Sequence, residues 1–156
     1  MLKRTLAVLT SLCTAFAPSL LFSATVAHAA PARPAAVAAV SPKCSGTASW
    51  GKIRYQVCFR WNCDSTKCNV LGYLGLINTA TSARTVNWDL YYAYDGGPFN
   101  TDDSGAIRLN AGEQRTIYSA NARQTRLCVR NEERLWIDYD GTLSTAIFAS
   151  ETIGCL

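Results

Sequence analysis

The sequence predicts an all-β protein, a single antiparallel β-sandwich of immunoglobulin-like type stapled by three disulfides. Three observations carry this expectation. From Lys52 to Trp61 the chain alternates strictly: Ile53, Tyr55, Val57, Phe59 and Trp61 on one face, Lys52, Arg54, Gln56, Cys58 and Arg60 on the other. That is the period of a half-buried strand. About seven to nine short segments of this kind follow one another with turn chemistry between them, and no stretch after residue 43 has a helical period. Six cysteines lie beyond the first 43 residues, an even number suited to a disulfide framework.

Residues 1–29 read as a secretory signal peptide. Lys3 and Arg4 give a positive start, an apolar run extends from Leu6 to about Val26, and Ala27-His28-Ala29 is a small-residue cleavage site. Pro18 and several Ser and Thr residues interrupt the run, which argues against a stable membrane anchor. Residues 30–43, APARPAAVAAVSPK, are an Ala/Pro-rich spacer without period. The sandwich domain is expected over residues 44–156, and the protein in the extracellular medium.

Within the domain, Cys44 to Trp50 forms a short strand that turns at Gly51 into the alternating segment. Asn62 to Lys67 is a tight connection. Val70 to Asn78 is apolar on both faces, as a central strand should be, with Gly72 and Gly75 allowing close approach of a neighbour. Thr79 to Arg84 is a break. Val86 to Tyr94 alternates again, with Val86, Trp88, Leu90, Tyr92 and Tyr94 on one side. Asp95 to Ser104, DGGPFNTDDS, has the composition of a long loop. Short strands are expected at Ile107–Leu109, Arg115–Ser119 and Thr125–Arg130, with a turn at Asn110 to Glu113. After a break at Asn131–Glu133, Leu135, Ile137 and Tyr139 alternate with Trp136 and Asp138. Asp140-Gly141 is a hairpin signal, and Leu143 to Ser150 closes the sheet.

The net charge of +4 comes from 15 basic and 11 acidic residues. Lys3, Arg4, Arg33 and Lys43 lie in the leader and spacer, so the domain itself is neutral and no attraction to nucleic acid is expected. His28 is the one histidine, and it leaves with the leader. The mature chain therefore has no imidazole base, no Ser-His-Asp or Cys-His nucleophile and no histidine-ligated metal. No phosphate-cradling glycine loop or dinucleotide fingerprint occurs, and no cofactor or metal is expected. Asn100, Asp102 and Ser104 match half of a calcium loop, but Ala111 stands where a bidentate acid is needed. Carboxylate-pair hydrolysis survives as a chemistry, with Glu113, Glu132, Glu133, Asp138 and Asp140 as its acids.

Cys63 and Cys68 sit symmetrically about Ser65-Thr66 and form the firmest bridge. Cys44, Cys58, Cys128 and Cys155 allow two pairings. The sequential one, Cys44–Cys58 and Cys128–Cys155, is favoured over the nested one, Cys58–Cys128 and Cys44–Cys155.

Two surface constellations are candidate binding sites. Arg54 and Arg60 flank Cys58 on one strand, and Arg126 and Arg130 flank Cys128 on another; as neighbours they would form one anion-binding patch. Tyr91, Trp136 and Phe148 lie on the alternation opposite their strands' core faces, where aromatic side chains can stack on sugars or anchor a protein.

The segments Ile77-Asn78-Thr79, Arg84-Thr85-Val86-x-Trp88 and Leu109-Asn110-Ala111-Gly112-Glu113, with the leader and spacer, give the chain a pattern that resembles small secreted β-sandwich proteins of actinobacteria. Residues 44–155 are also similar to bacterial cellulose-binding sandwich modules, which pair cysteines near the domain ends. The additional cysteines at 58, 63, 68 and 128 and the core-side Trp88 depart from that pattern, so no sugar site carries over. The expected function is non-catalytic binding of an extracellular polysaccharide, a wall polymer or a protein partner. The alternatives are an inhibitor of an extracellular hydrolase, inserting the Asp95–Ser104 loop, and a carboxylate-type glycoside hydrolase.

Overall fold

Alternation of apolar side chains dictates the architecture. The computed structural model describes residues 42–155; the expected leader and residues 30–41 of the expected spacer lie outside the described residues. Among the described residues eleven strands form two antiparallel sheets. β1 (Lys43–Cys44) and β2 (Ala48–Trp50) lead through the turn at Gly51 into β3 (Ile53–Cys63), which returns as β4 (Lys67–Asn78). β5 (Arg84–Tyr94) and β6 (Asn100–Leu109) make the next hairpin. β7 (Gln114–Tyr118) and β8 (Arg123–Arg126) rejoin the first sheet, and β9 (Val129–Tyr139), β10 (Thr142–Leu143) and β11 (Ile147–Ile153) complete the second. Sheet A has the order β1-β3-β4-β7, with β2 also on β3 and β8 also on β4. Sheet B has the order β10-β9-β5-β6, with β11 also on β9.

The two sheets pack through the faces that the alternation marks. Ile53, Val57 and Phe59 of β3, Leu74 and Leu76 of β4, Leu90 of β5 and Leu135 and Ile137 of β9 are all fully buried in one cluster. Burying each such side chain contributes about 1.5–3 kcal/mol, so this layer supplies most of the drive to fold. The far end of the sandwich is held by Asn78. Its side-chain amide donates to the carbonyls of Ser82, Leu109 and Asn110, and its oxygen accepts from Ala80 N–H. One buried amide thus ties the β4–β5 crossing to the β6–β7 turn.

Three expected segments, a loop, a strand and a break, are placed differently. Half of the Asp95–Ser104 loop is strand: Asp95–Phe99 connect β5 to β6, and Asn100–Ser104 belong to β6. β6 is an edge strand with both faces largely open to solvent, and such a strand carries the same polar residues as a loop. The Thr125–Arg130 strand does not exist as one element. β8 stops at Arg126 and β9 starts at Val129 in the other sheet, with Cys128 between them at a φ of 55°. Asn131–Glu133 is no break, because β9 runs through it. Of the two glycines expected to admit a neighbour, Gly72 does so, whereas nothing crowds Gly75. Cys58, expected on a polar face, is buried.

The disulfides are Cys44–Cys58, Cys63–Cys68 and Cys128–Cys155, the sequential scheme. Cys44 lies directly opposite Cys58, and Cys63 opposite Cys68, in their strand registers. Three such bridges fit an oxidising compartment. The enclosed segments differ in length, with sequence separations of 5 for Cys63–Cys68 and 27 for Cys128–Cys155. Loop-closure entropy then assigns about 2 kcal/mol to the first bridge and about 3.5 kcal/mol to the second. Urea unfolding should find the double Ser variant at 128/155 less stable than the one at 63/68; the reverse order would contradict a chain-entropy origin.

Candidate functional site

Positions on β5 and β9 decide what the outside of sheet B presents. Inward alternation of Leu90 on β5 and Leu135 and Ile137 on β9 forces Asp89, Tyr91, Arg134 and Trp136 outward. The register sets Asp89 opposite Trp136 and Tyr91 opposite Arg134. The rings of Tyr91 and Trp136 meet edge to face with centroids 5.1 Å apart. The Arg134 guanidinium lies 3.6 Å from the centre of the Phe99 ring, and its Nη2 is 3.1 Å from Glu132 Oε1. Asp89, Tyr91, Phe99, Arg134, Trp136 and Leu143 line one shallow depression of about 380 Å³. Phe148, opposite Arg134 on β11, and Leu143 flank it, each 57% exposed. Tyr91, Trp136 and Phe148 are therefore brought together on one open face, joined by Phe99 and Arg134.

The four arginines are not brought together. Arg54 and Arg60 lie on the outer face of β3 and Arg126 on β8, all exposed in sheet A. Arg130 sits on β9 in sheet B, near Ser150 and Glu132. The single patch needed Arg126 and Arg130 on one strand, and the change of sheet at Leu127–Cys128 separates them.

A third constellation lies inside. Its first acid is Asp102. Along the β5–β6 register, Leu90 pairs with Asp103 and Tyr91 with Thr101, which leaves Asp102 as the extra residue of a bulge. A bulge re-aims the side chain at that point. Asp102 turns under the sheet, its side chain only 2% exposed. The second acid, Glu133, falls on the buried alternation of β9 and is fully buried. Arg123 of β8 reaches between the sheets to both: Nη1 is 2.8 Å from Asp102 Oδ1, and Nη2 donates to Glu133 Oε1. The guanidinium stacks 4.2 Å from the centre of the Tyr92 ring. The remaining oxygens, Asp102 Oδ2 and Glu133 Oε2, converge on Gly72, where an added Cβ would stand 2.6 and 3.0 Å from them. A side chain there would have to displace both carboxylates.

Neither Asp102 nor Arg123 stands out as a buried ion in the sequence, since one sits in a loop-like run and the other in a polar stretch. Glu133 had a signal: stepping back by two from Tyr139, Ile137 and Leu135 lands on it. Asn100 and Ser104, which with Asp102 matched half of a calcium loop, are exposed on the extended edge strand β6 instead. Among the described residues no three His, Cys, Asp or Glu side chains group so as to hold a metal ion, and no helix is long and apolar enough to cross a membrane. No family model and no curated protein matches the chain.

Burial pushes the Asp102 carboxyl above its ordinary value of 3.8, with Arg123 and the Ser119 hydroxyl pulling the other way. The folded chain thus binds this proton more tightly than the unfolded chain. The stability linked to it is fully present below the unfolded value and is lost as pH rises through the raised folded value. Asp102→Asn cannot ionise, so the urea midpoint of the wild type should fall relative to this variant as pH rises from the ordinary carboxyl value through the raised folded one. A pH-independent difference would contradict a raised Asp102.

Proposed function

We propose that this protein is a secreted, non-catalytic binding protein of immunoglobulin-like fold. Its partner is an extracellular polysaccharide, seated on the outer face of sheet B. The observation that carries this reading is the open depression in which Tyr91, Trp136 and Phe99 surround Arg134 beside Asp89. Aromatic side chains held on strands offer apolar faces to sugar rings at little entropic cost, and neighbouring Asp89 and Arg134 can exchange hydrogen bonds with hydroxyls. Half-buried Tyr91, Phe99 and Trp136 beside exposed Leu143 and Phe148 gather apolar surface on one face, and such surface is unusual unless something covers it.

The order β3-β4-β7 facing β10-β9-β5-β6, in which successive hairpins alternate between the sheets, supports the immunoglobulin-like lineage. The three bridges support export. The non-catalytic reading draws on the carboxylates. Asp102 and Glu133 are closed inside the sandwich and held by Arg123, and Glu113 and Glu132 are ion-paired to Arg115 and Arg134. An inhibitor would need a long protruding loop, and Asp95–Phe99 is short.

Depletion from solution by insoluble cellulose, chitin and peptidoglycan tests the proposal. At least one polymer should remove the wild-type protein, and Trp136→Ala should bind it about tenfold more weakly, or about 1.4 kcal/mol. Full retention by Trp136→Ala, or no depletion by any of the three, would overturn it.

A further inference from the structure

The neutral net charge of the domain conceals a division between its two sheets. The six strands of sheet A contain no Asp or Glu, although they carry Lys and Arg. The acids of the strands are all in sheet B, on β5, β6, β9 and β11. Alternation turns Arg54, Arg60, Lys67 and Arg126 to the outer face of sheet A, and all four are exposed. Among the described residues none of the four is in an ion pair. The nearest turn acid, Asp64, is engaged by Thr66 N–H, the Thr66 hydroxyl and Lys67 N–H.

The geometry of this face is linear. In the β3–β4 register Arg54 lies opposite Ile77, Arg60 opposite Leu71, and Lys67 one step beyond Cys68, beside Arg126 of β8. At roughly 3.3 Å per residue the cations span about 33 Å along the strands. Between them run aromatic and aliphatic groups. Tyr73 stacks with Tyr118 at 5.2 Å, Arg60 covers the Tyr118 ring at 5.1 Å, and Tyr118 is 50% exposed. Beside Arg60 a depression of about 320 Å³ is lined by Trp61, Asn62, Asn69, Leu71 and Ala122.

We infer that the outer face of sheet A is a second binding surface, for a linear acidic polysaccharide. Unpaired guanidinium groups present a planar fork to carboxylates, and their spacing along one line suits a polymer whose charges repeat. The Tyr73–Tyr118 strip and the depression beside Arg60 provide ring-sized apolar surface between the charges, which a bare electrostatic patch lacks. This surface is independent of the sheet B depression, on the opposite side of the sandwich.

Affinity electrophoresis and titration calorimetry with polygalacturonate, with neutral pullulan and duplex DNA alongside, test the inference. Polygalacturonate should bind, with log affinity falling linearly in log salt. Arg60→Gln/Arg126→Gln should bind about tenfold more weakly with a shallower salt slope, because each lost contact releases fewer counterions. Trp136→Ala should bind polygalacturonate like the wild type, which separates this face from sheet B. Far-UV circular dichroism of these variants should match that of the wild type. No polygalacturonate binding, equal binding to pullulan, tighter binding to DNA, or unchanged binding by the double variant would each overturn the inference. So would self-association at low salt that polygalacturonate fails to disperse, because the basic face would then be meeting the acidic sheet of another copy.

Discussion

One guanidinium between two carboxylates fixes how the sheets meet at one end of the sandwich. Arg123 belongs to sheet A, while Asp102 and Glu133 belong to different strands of sheet B. A charge buried without partners would cost several kcal/mol, and here each member is tolerated because the others are present. The position of β8 over β6 and β9 follows from that requirement, and glycine at position 72 of β4 leaves the carboxylates the room that a Cβ would take. The bulge at Asp102 belongs to the same arrangement, since a regular β6 would point that side chain elsewhere. The opposite end uses neutral groups instead, with Asn78 satisfying carbonyls from two connections.

Arg123 and Asn78 are committed to the interior, and the outer faces of the two sheets differ. Sheet B turns out an aromatic depression with acids around it, and sheet A turns out cations with tyrosines between them. The disulfides support both faces without occupying either depression. Cys44–Cys58 secures the short β1 to β3, Cys63–Cys68 closes the β3–β4 hairpin, and Cys128–Cys155 joins the β8–β9 crossing to the C-terminal end. Small sandwiches have limited apolar area, and covalent ties of this sort compensate for it.

Much of this was legible from residue alternation. β3 reads directly from Ile53 to Trp61, and β4 reads as central because both its faces are apolar. Trp88 faces the core as its alternation with Val86 and Leu90 requires. The pairing of Cys63 with Cys68 follows from a hairpin. What alternation could not supply was anything that depends on two distant segments. β6 looks like a loop because an edge strand needs no apolar face, so composition alone does not separate the two. The break at Leu127–Cys128 is hidden because Cys128 adopts a positive φ that favours glycine or asparagine. That single conformational choice moves Arg130 into the other sheet and divides the four arginines. The partition of charge was invisible for a related reason: a sum over the domain cannot say which sheet each ion joins.

Arg123 holds the sheets together through two buried carboxylates that are left uncompensated without it. Equilibrium unfolding of Arg123→Met, set against the triple variant Asp102→Asn/Arg123→Met/Glu133→Gln, tests it most directly. The single variant should lose about 3–5 kcal/mol, because two buried carboxylates are left facing each other, and neutralising both should restore most of that loss. A single variant within about 1 kcal/mol of the wild type, or a triple variant less stable than the single one, would contradict the account.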